Sequence, residues 1–198
     1  FVGIFFGKGY WGYLELTSSK SVDQAVSEVT SSPYFVGYDD ISPELIRATV
    51  AIEDRRFYDH SGVDYIGLVR AAVSQFDNDL LKSGGSTITQ QLAKNLYPRD
   101  EQQVTFIPVV KLKEMFTAHR LENIYSKDDI LTLYLNTVSF GENTFGIESA
   151  AQKYFSTSAS DLTIPQAATL IGMLKGPSRY NPRLHPERAL NRRNTVID

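Results

Sequence analysis

The chain has 198 residues, of which 42% are hydrophobic and 22% are charged, so it can bury the core of an ordered domain. It contains no cysteine, which excludes disulfides and thiolate metal sites. Its net charge of −3 gives no reason to expect a nucleic-acid partner.

The N-terminal segment FVGIFFGKGYWGYL is apolar and aromatic. Its apolar run is shorter than the ~20 residues that a membrane-spanning helix needs, and Lys8 interrupts it. Dense aromatic residues are typical of a membrane interface, although a terminal segment packed on the core can have the same composition. We interpret residues 1–16 as the remnant of a membrane anchor and residues 17–198 as the functional domain.

Helical signals dominate the rest of the chain and predict a mainly α fold. Helices are predicted in chain order at residues 44–57, 65–76, 87–97, 109–124, 127–138, 145–154 and 166–174, with a last basic helix after residue 186. Capping-box patterns start the helices at Thr87 and Ser126. We predict a mobile polar loop at residues 99–108, and strand signals are limited to YFVGY at 34–38.

Two carboxylate positions stand out on these helices. Glu53 and Asp54 fall where an apolar helix suddenly becomes charged, in AIEDRRFYDHSG. A partly buried glutamate at such a place can act as a general base, but a solvated helix end with local ion pairs explains the pattern better on its own. Glu114 shares a helix face with Lys111, which is compatible either with a surface salt bridge or with a second carboxylate lining a cleft.

The stretch GGSTITQQLAKN, residues 84–95, combines a glycine pair with hydroxyl, amide and lysine side chains at the start of a helix. A helix N-terminus favours anions, and Thr87, Gln91 and Lys94 share one face, long enough for a pyrophosphate and a sugar. A capped surface helix accounts for these residues equally well. The spacing is not that of a Walker loop.

Five segments in order resemble one family across residues 48–194. They are AIEDRRFYDHSGVD, GGSTITQQLAKN, KLKEMFTAHRLE, ILTLYLNTVSFG with GIESAAQKYF, and AATLIGMLKGPSRYNP with ALNRRN. They look like the peptidoglycan glycosyltransferase (transglycosylase) domain of class A penicillin-binding proteins and of monofunctional transglycosylases. The resemblance implies a mainly α, lysozyme-like fold, with a large head lobe, a small membrane-facing jaw lobe and a cleft between them.

The resemblance also implies site residues. Glu53 matches the family's catalytic base, with Asp54 beside it, and Glu114 matches the second essential carboxylate. The positions that match contacts to the donor's phosphates and sugar, or that lie near them, are Ser86, Thr87, Gln91, Lys94 and Lys111, and Tyr154 matches a cleft residue.

The implied reaction polymerises lipid II. The base takes the proton of the acceptor GlcNAc 4-OH, C1 of the donor inverts, and lipid pyrophosphate leaves. The resemblance implies no organic cofactor, but a divalent cation, Mg or Mn, could be held near Glu114. The implied partners are lipid II, the nascent glycan strand, a membrane surface and other cell-wall synthesis proteins, at the extracytoplasmic face of a bacterial cytoplasmic membrane. A transpeptidase domain after Asp198 is plausible.

The chain departs from the family pattern at three places. Val110 precedes Lys111 where the family usually has arginine, and Arg99 stands alone in the loop after residue 95. Arg99, Lys111 or Lys113 could therefore supply the missing cation. Gln166 replaces the usual glutamate, which we expect to matter little.

Two other functions fit parts of the pattern. A lysozyme-like hydrolase or lytic transglycosylase would cut glycan on a similar fold, but it has no pyrophosphate to hold. A non-catalytic lipid II-binding scaffold would not need both Glu53 and Glu114. These residues favour lipid II polymerisation over both alternatives.

Overall fold

A computed structural model describes residues 2–74, 85–98 and 106–198, and it is mainly α, as predicted. The ten α-helices of the described residues are α1 (Val2–Ser19), α2 (Val22–Thr30), α3 (Pro43–Glu53), α4 (Tyr65–Ser74), α5 (Ile88–Leu96), α6 (Ile107–Glu122), α7 (Lys127–Thr137), α8 (Ile147–Phe155), α9 (Ile164–Leu174) and α10 (Pro186–Ile197). Short 3₁₀ turns cover Tyr38–Asp40 and Phe57–Asp59.

The chain divides into two compact units. The first unit comprises Phe1–Ser27 and Arg56–Ile130, and the second comprises Glu28–Arg55 and Leu131–Asp198. Each unit is built from segments distant in sequence, so its packing depends on contacts that local patterns do not report.

Helix α6 organises the first unit by packing against both α1 and α5. Helix α1 approaches α6 closely because Gly9 and Gly12 carry no side chains. A Cβ on Gly9 would lie 2.5 Å from Cβ of Leu112, and one on Gly12 would collide with the Lys113 side chain. The fit explains how an apolar N-terminal helix docks while most of its large side chains stay exposed.

Helix α5 has the apolar stripe that the sequence predicts. Ile88, Leu92 and Leu96 are buried, and the helix starts at the predicted capping box. The side chain of Thr87 accepts a hydrogen bond from the N–H of Gln90, while the Gln90 side chain accepts one from the N–H of Thr87. This box pairs two backbone donors that a helix start otherwise leaves unpaired.

The second unit is organised around α9, which packs against α3 and α10. Along α9 the buried residues are Ala167, Ala168, Leu170, Ile171, Gly172 and Met173. Thr163 and Gln166 form a capping box at its start. Gln166, which replaces the usual glutamate, therefore makes the same capping interaction that a glutamate would make at this position.

Several predicted boundaries need correction. Helix α3 ends at Glu53 rather than at residue 57, because Asp54 takes an extended φ of −159° and a 3₁₀ turn follows. Helix α6 begins at Ile107, with Pro108 in its first turn, where a missing N–H costs nothing. Residues 99–105 of the predicted loop and residues 75–76 of the helix predicted at 65–76 lie outside the described residues.

The strand signal at residues 34–38 does not correspond to a strand in the structure. Its central residue pairs with a side chain: the Val36 N–H donates to Asn136 Oδ1 at 3.0 Å, and Asn136 Nδ2 donates to the Val36 carbonyl at 2.9 Å. The amide of Asn136 thus imitates a neighbouring strand, so β-forming residues are satisfied without a sheet. The β-structure in the described residues is limited to an isolated antiparallel β-bridge between Ser139 and Phe145.

None of the described helices has both the length and the apolar character needed to cross a bilayer. The interpretation of residues 1–16 as the remnant of an anchor stays a prediction.

The sharpest backbone constraint in the first unit is at Gly62, whose φ is +89°. A Cβ there would lie 2.9 Å from the carbonyl carbon of Ala118 on α6. We expect Gly62→Ala to lower the free energy of unfolding by roughly 2–4 kcal/mol, because it adds both backbone strain and overpacking.

Chemical denaturation of Gly62→Ala measures this loss, and Gly7→Ala is the matched control. A Cβ on Gly7 meets no atom within 4 Å, and alanine favours the helix. Equal stability of the two variants would contradict the close approach of Gly62 to α6.

Candidate active site

A lysine, a glutamate and a serine form the centre of the candidate site in the first unit. Lys111 Nζ lies 2.5 Å from Glu114 Oε2 and donates to Ser86 Oγ at 3.2 Å. The Glu114 side chain is only 7% exposed, whereas that of Lys111 is 42% exposed. The pairing predicted from the i, i+3 spacing is confirmed, and it joins α6 to the residue just before the start of α5.

Thr87 occupies the N-cap of α5 and is buried. Its hydroxyl accepts from the Gln90 N–H at 3.1 Å and donates to the Gly62 carbonyl at 2.6 Å. The hydroxyl is therefore engaged on both sides, and the N–H of Thr87 is held by the Gln90 side chain. In this arrangement Thr87 positions the helix start, and its predicted contact with a ligand stays a prediction.

The two other predicted residues of α5 lie on its outer face. Gln91 is half-buried and Lys94 is exposed, three residues further along the helix. Lys94 lies in the last turn of α5. The helix thus presents an amide and an ammonium group on the side opposite its buried stripe.

Lys113 was a candidate for the missing family arginine, but its side chain lies against Gly12 of α1. Lys111 is the α6 lysine that reaches the start of α5. Arg99, the third candidate, lies outside the described residues.

Glu53 and Asp54 lie at the end of α3 in the second unit. Glu53 is the last helical residue and is half-buried, while Asp54 forms the C-cap and is buried. Burial raises the pKa of Tyr134 well above its usual range, and the negative charge of Glu53 adds to this effect. The carboxylate of Glu53 is therefore close enough to affect a tyrosine that is completely buried in α7.

Tyr154, the predicted cleft residue, belongs to a polar cluster in the second unit. Its hydroxyl donates to the Phe140 carbonyl at 2.8 Å and lies 3.4 Å from Glu142 Oε2. Nδ2 of the buried Asn181 donates to Glu142 Oε2 and to the Tyr154 hydroxyl, both at 3.2 Å. Burial, with the negative charge of Glu142, raises the pKa of Tyr154.

The turn that carries Glu142 is strained. Gly141, Glu142 and Asn143 have φ values of +78°, +47° and +56°. Positive φ in two non-glycine residues costs energy and persists only where the surroundings enforce it. The predicted site residues did not include Glu142 or Asn181, although Gly-Glu-Asn is a composition that favours such turns.

The described residues contain no group of three or more histidine, aspartate or glutamate side chains arranged to hold a metal ion. Glu114 is the carboxylate predicted to help bind one, and the ammonium of Lys111 lies against it. The divalent cation expected near Glu114 stays a prediction.

The first unit is thus a helical scaffold in which a lysine–glutamate pair of α6 meets the hydroxyl-bearing start of α5. Comparison with protein families matches residues 20–198 to the transglycosylase family. The chain therefore belongs to the transglycosylase family of peptidoglycan glycosyltransferases. Membership confirms the resemblance found in the sequence and supports the lysozyme-like fold class.

Individual relatives agree with this assignment. The chain is 43% identical over 164 residues to penicillin-binding protein 1A of Aquifex aeolicus, which is 83% of this chain and 22% of that protein. It is 47% identical over 163 residues to penicillin-binding protein 2a of Streptococcus pneumoniae, 82% of this chain and 21% of that protein. Penicillin-binding protein 1A of Escherichia coli is 42% identical over 162 residues, 82% of this chain and 19% of that protein.

The matched regions thus span only about a fifth of the length of these relatives.

The hydrogen bond from Asn181 is the largest cause that holds the pKa of Glu142 below its usual range, followed among the lowering causes by the charge of Arg183. A lowered carboxyl pKa stabilises the fold above the unfolded-state pKa, and this contribution is lost as the pH falls through the folded-state pKa. We expect Asn181→Ala to raise the pKa of Glu142 toward its ordinary value, so that less stability is lost on acidification and the loss is complete at a higher pH.

Carboxyl titration by NMR measures this change, and Arg183→Gln should raise the pKa less because it removes a smaller cause. An unchanged Glu142 pKa in Asn181→Ala would show that the amide does not bind the carboxylate in solution.

Proposed function

We propose that this domain polymerises lipid II into β-1,4-linked glycan strands. The growing strand, attached through MurNAc C1 to lipid pyrophosphate, is the donor, and the GlcNAc 4-OH of the incoming lipid II is the acceptor. The observation that carries the proposal is the cluster of Lys111, Glu114 and Ser86 at the start of α5, within the matched family region.

The leaving group explains why this cluster suits transfer. Pyrophosphate departs as an anion, so it needs cations and hydrogen-bond donors rather than a protonated carboxylic acid. Lys111 is 42% exposed beside Ser86, and Lys94 is exposed on the outer face of α5. Since the capping box already uses two N–H groups of the helix start, these lysines supply most of the positive charge in our proposal.

Glu114 has a different role in this proposal. It is nearly buried, and its ion pair orients the ammonium of Lys111 toward Ser86. Such an ammonium is held in place before the donor arrives, which lowers the cost of reorganisation when charge develops on the leaving oxygen.

Glu53 is the proposed general base. The acceptor hydroxyl is a poor nucleophile until its proton is removed, and a carboxylate at the end of α3 can accept that proton. The electron pair of the acceptor oxygen then forms the new bond to C1 as the bond from C1 to the pyrophosphate oxygen breaks. Attack from the opposite side inverts C1, so no covalent enzyme intermediate is needed.

The main alternative is glycan cleavage by a lysozyme-like mechanism. An inverting glycosidase uses a carboxylic acid to protonate the leaving sugar oxygen. Here Glu114, the nearly buried carboxylate of the candidate site, accepts a hydrogen bond from the Lys111 ammonium at 2.5 Å instead of facing a leaving sugar oxygen. This pairing supports transfer from a pyrophosphate donor.

We also propose that the domain works at the extracytoplasmic face of a bacterial membrane. The exposed apolar side chains of α1 and of the start of α6 support a membrane contact, and they include Ile4, Phe5, Phe6, Trp11, Phe106 and Ile107. The rings of Phe5 and Phe106 stack with centroids 5.4 Å apart, so the two helices share one apolar surface. Apolar and aromatic surface of this kind suits the interfacial region of a bilayer.

We expect Glu53→Gln to lower turnover of lipid II by ~10²–10⁴-fold, which is the usual contribution of a general base. Initial rates of glycan synthesis measure the loss, and thermal unfolding checks that the fold survives. Glu44→Gln is the matched control, because Glu44 lies in the first turn of the same helix and pairs with Arg47 at 2.8 Å. Near-normal turnover in Glu53→Gln would remove Glu53 from this role.

We expect Lys94→Ala to weaken donor handling roughly 10–100-fold, the loss typical of a hydrogen bond to a charged group, with a smaller effect on the acceptor. Rates measured while donor and acceptor concentrations are varied separately distinguish the two effects. Arg188→Ala, which removes an exposed cation from α10, is the control. A lower melting temperature with unchanged kinetics would make Lys94 structural.

A further inference from the structure

A second lysine–glutamate pair is almost buried in the first unit. Lys127 Nζ, at the start of α7, lies 2.8 Å from Glu122 Oε1, at the end of α6. The two side chains are 22% and 7% exposed. Burying an ion pair is costly and stabilises a fold weakly at best, so an apolar pair would serve stability as well. What the charges add is directional hydrogen bonding.

The hydrogen bonds of Lys127 reach the loop that precedes Gly62. Its ammonium donates to the His60 carbonyl at 2.6 Å and lies 4.4 Å from the centroid of the Phe57 ring, which is fully buried. Lys127 therefore holds the backbone two residues before Gly62. The carbonyl of Gly62 in turn accepts a hydrogen bond from the Thr87 hydroxyl.

The hydrogen bonds of Glu122 reach α5. Its Oε1 accepts from the Thr89 hydroxyl at 2.6 Å, and Thr89 is fully buried in the first turn of α5. The start of α5 is thus tied to α6 at two places, by Thr89 of the first turn to Glu122 and by Ser86, which precedes the N-cap, to Lys111. It is also tied to the loop at Gly62, which Lys127 holds from the other side.

We propose that Lys127 and Glu122 are positioning residues for the proposed transfer reaction. They hold the first turn of α5 in register with α6, and so keep Ser86 within reach of the Lys111–Glu114 pair. The inference rests on the proposed function for its kinetic consequences, but the positioning itself is measurable without turnover. Neither residue contacts the substrate in this account.

The most conservative test removes one hydroxyl. Thr89→Val takes away the hydrogen bond to Glu122 but keeps the shape of the side chain. Thr117→Val is the matched control, because Thr117 is also buried and its hydroxyl donates to the Lys113 carbonyl of its own helix, at 2.9 Å.

Hydrogen exchange of the backbone amides at residues 89–91 is the first readout. We expect exchange to become about tenfold faster or more in Thr89→Val and to stay unchanged in Thr117→Val, since only the former releases the first turn of α5. Equal exchange in the two variants overturns the positioning role, whether or not the domain polymerises lipid II.

Steady-state kinetics with lipid II are the second readout. We expect the kcat of Thr89→Val to fall by roughly tenfold or more, since small misplacements at a reacting centre are costly, with little change in KM. The effect of Glu114→Gln on kcat should be smaller in the Thr89→Val background than in the native protein, because both changes disturb the same arrangement. Independent, multiplying effects overturn the inference.

Lys127→Met is the stronger variant, and its loss of kcat should exceed that of Thr89→Val. If Lys127→Met does not fold, the Thr89→Val and Thr117→Val pair still decides the question. If the native protein does not polymerise lipid II, the proposed function is contradicted and the positioning role is not. If the native protein is active, and Thr89→Val has faster exchange but an unchanged kcat, the kinetic role of the positioning residues is contradicted.

Discussion

The contact between Thr87 and Gly62 is the constraint on which the candidate site depends. The Thr87 hydroxyl donates to the Gly62 carbonyl at 2.6 Å, while Gly62 itself lies so close to Ala118 that no side chain fits between them. One hydroxyl and one missing Cβ thus bring together the start of α5, the loop after α3 and the middle of α6. A chemical group at any of these three places is positioned by the other two.

This constraint explains how a helix start can serve both structure and chemistry. The polar groups of Thr87 and Gln90 are used by the capping box that begins α5. In the proposed site, negative charge is therefore bound by nearby side chains. Lys111 reaches Ser86 from α6 and is oriented by the nearly buried Glu114. The proposed phosphate site is therefore built mainly from oriented side chains, and its precision comes from the packing of α5 on α6.

Sequence patterns predicted the features that depend on neighbouring residues. The capping boxes at Thr87 and Ser126, the apolar stripe of α5 and the Lys111–Glu114 pairing are all local, and all are present. Helix α2 was missed even though Ser21 and Gln24 show the capping-box spacing and make both of its hydrogen bonds. That signal could have been found from the sequence.

Interactions between distant residues were not predictable in this way. The strand signal at residues 34–38 was misleading because the hydrogen-bonding partner of Val36 is the side chain of Asn136, 100 residues away. The bonds from Lys111 to Ser86 and from Thr87 to Gly62 each span 25 residues, and nothing in the local pattern of either end indicates the other. Family motifs identified candidate residues, whereas the structure identified which of them are in contact within each unit.

If the domain builds glycan from a pyrophosphate-linked donor, as we propose, the products that it forms from lipid II will show it. Purified protein is incubated with lipid II, and the products are separated by length. We expect long glycan strands accompanied by release of undecaprenyl pyrophosphate. Shortening of preformed glycan, with no strands made from lipid II, would contradict it.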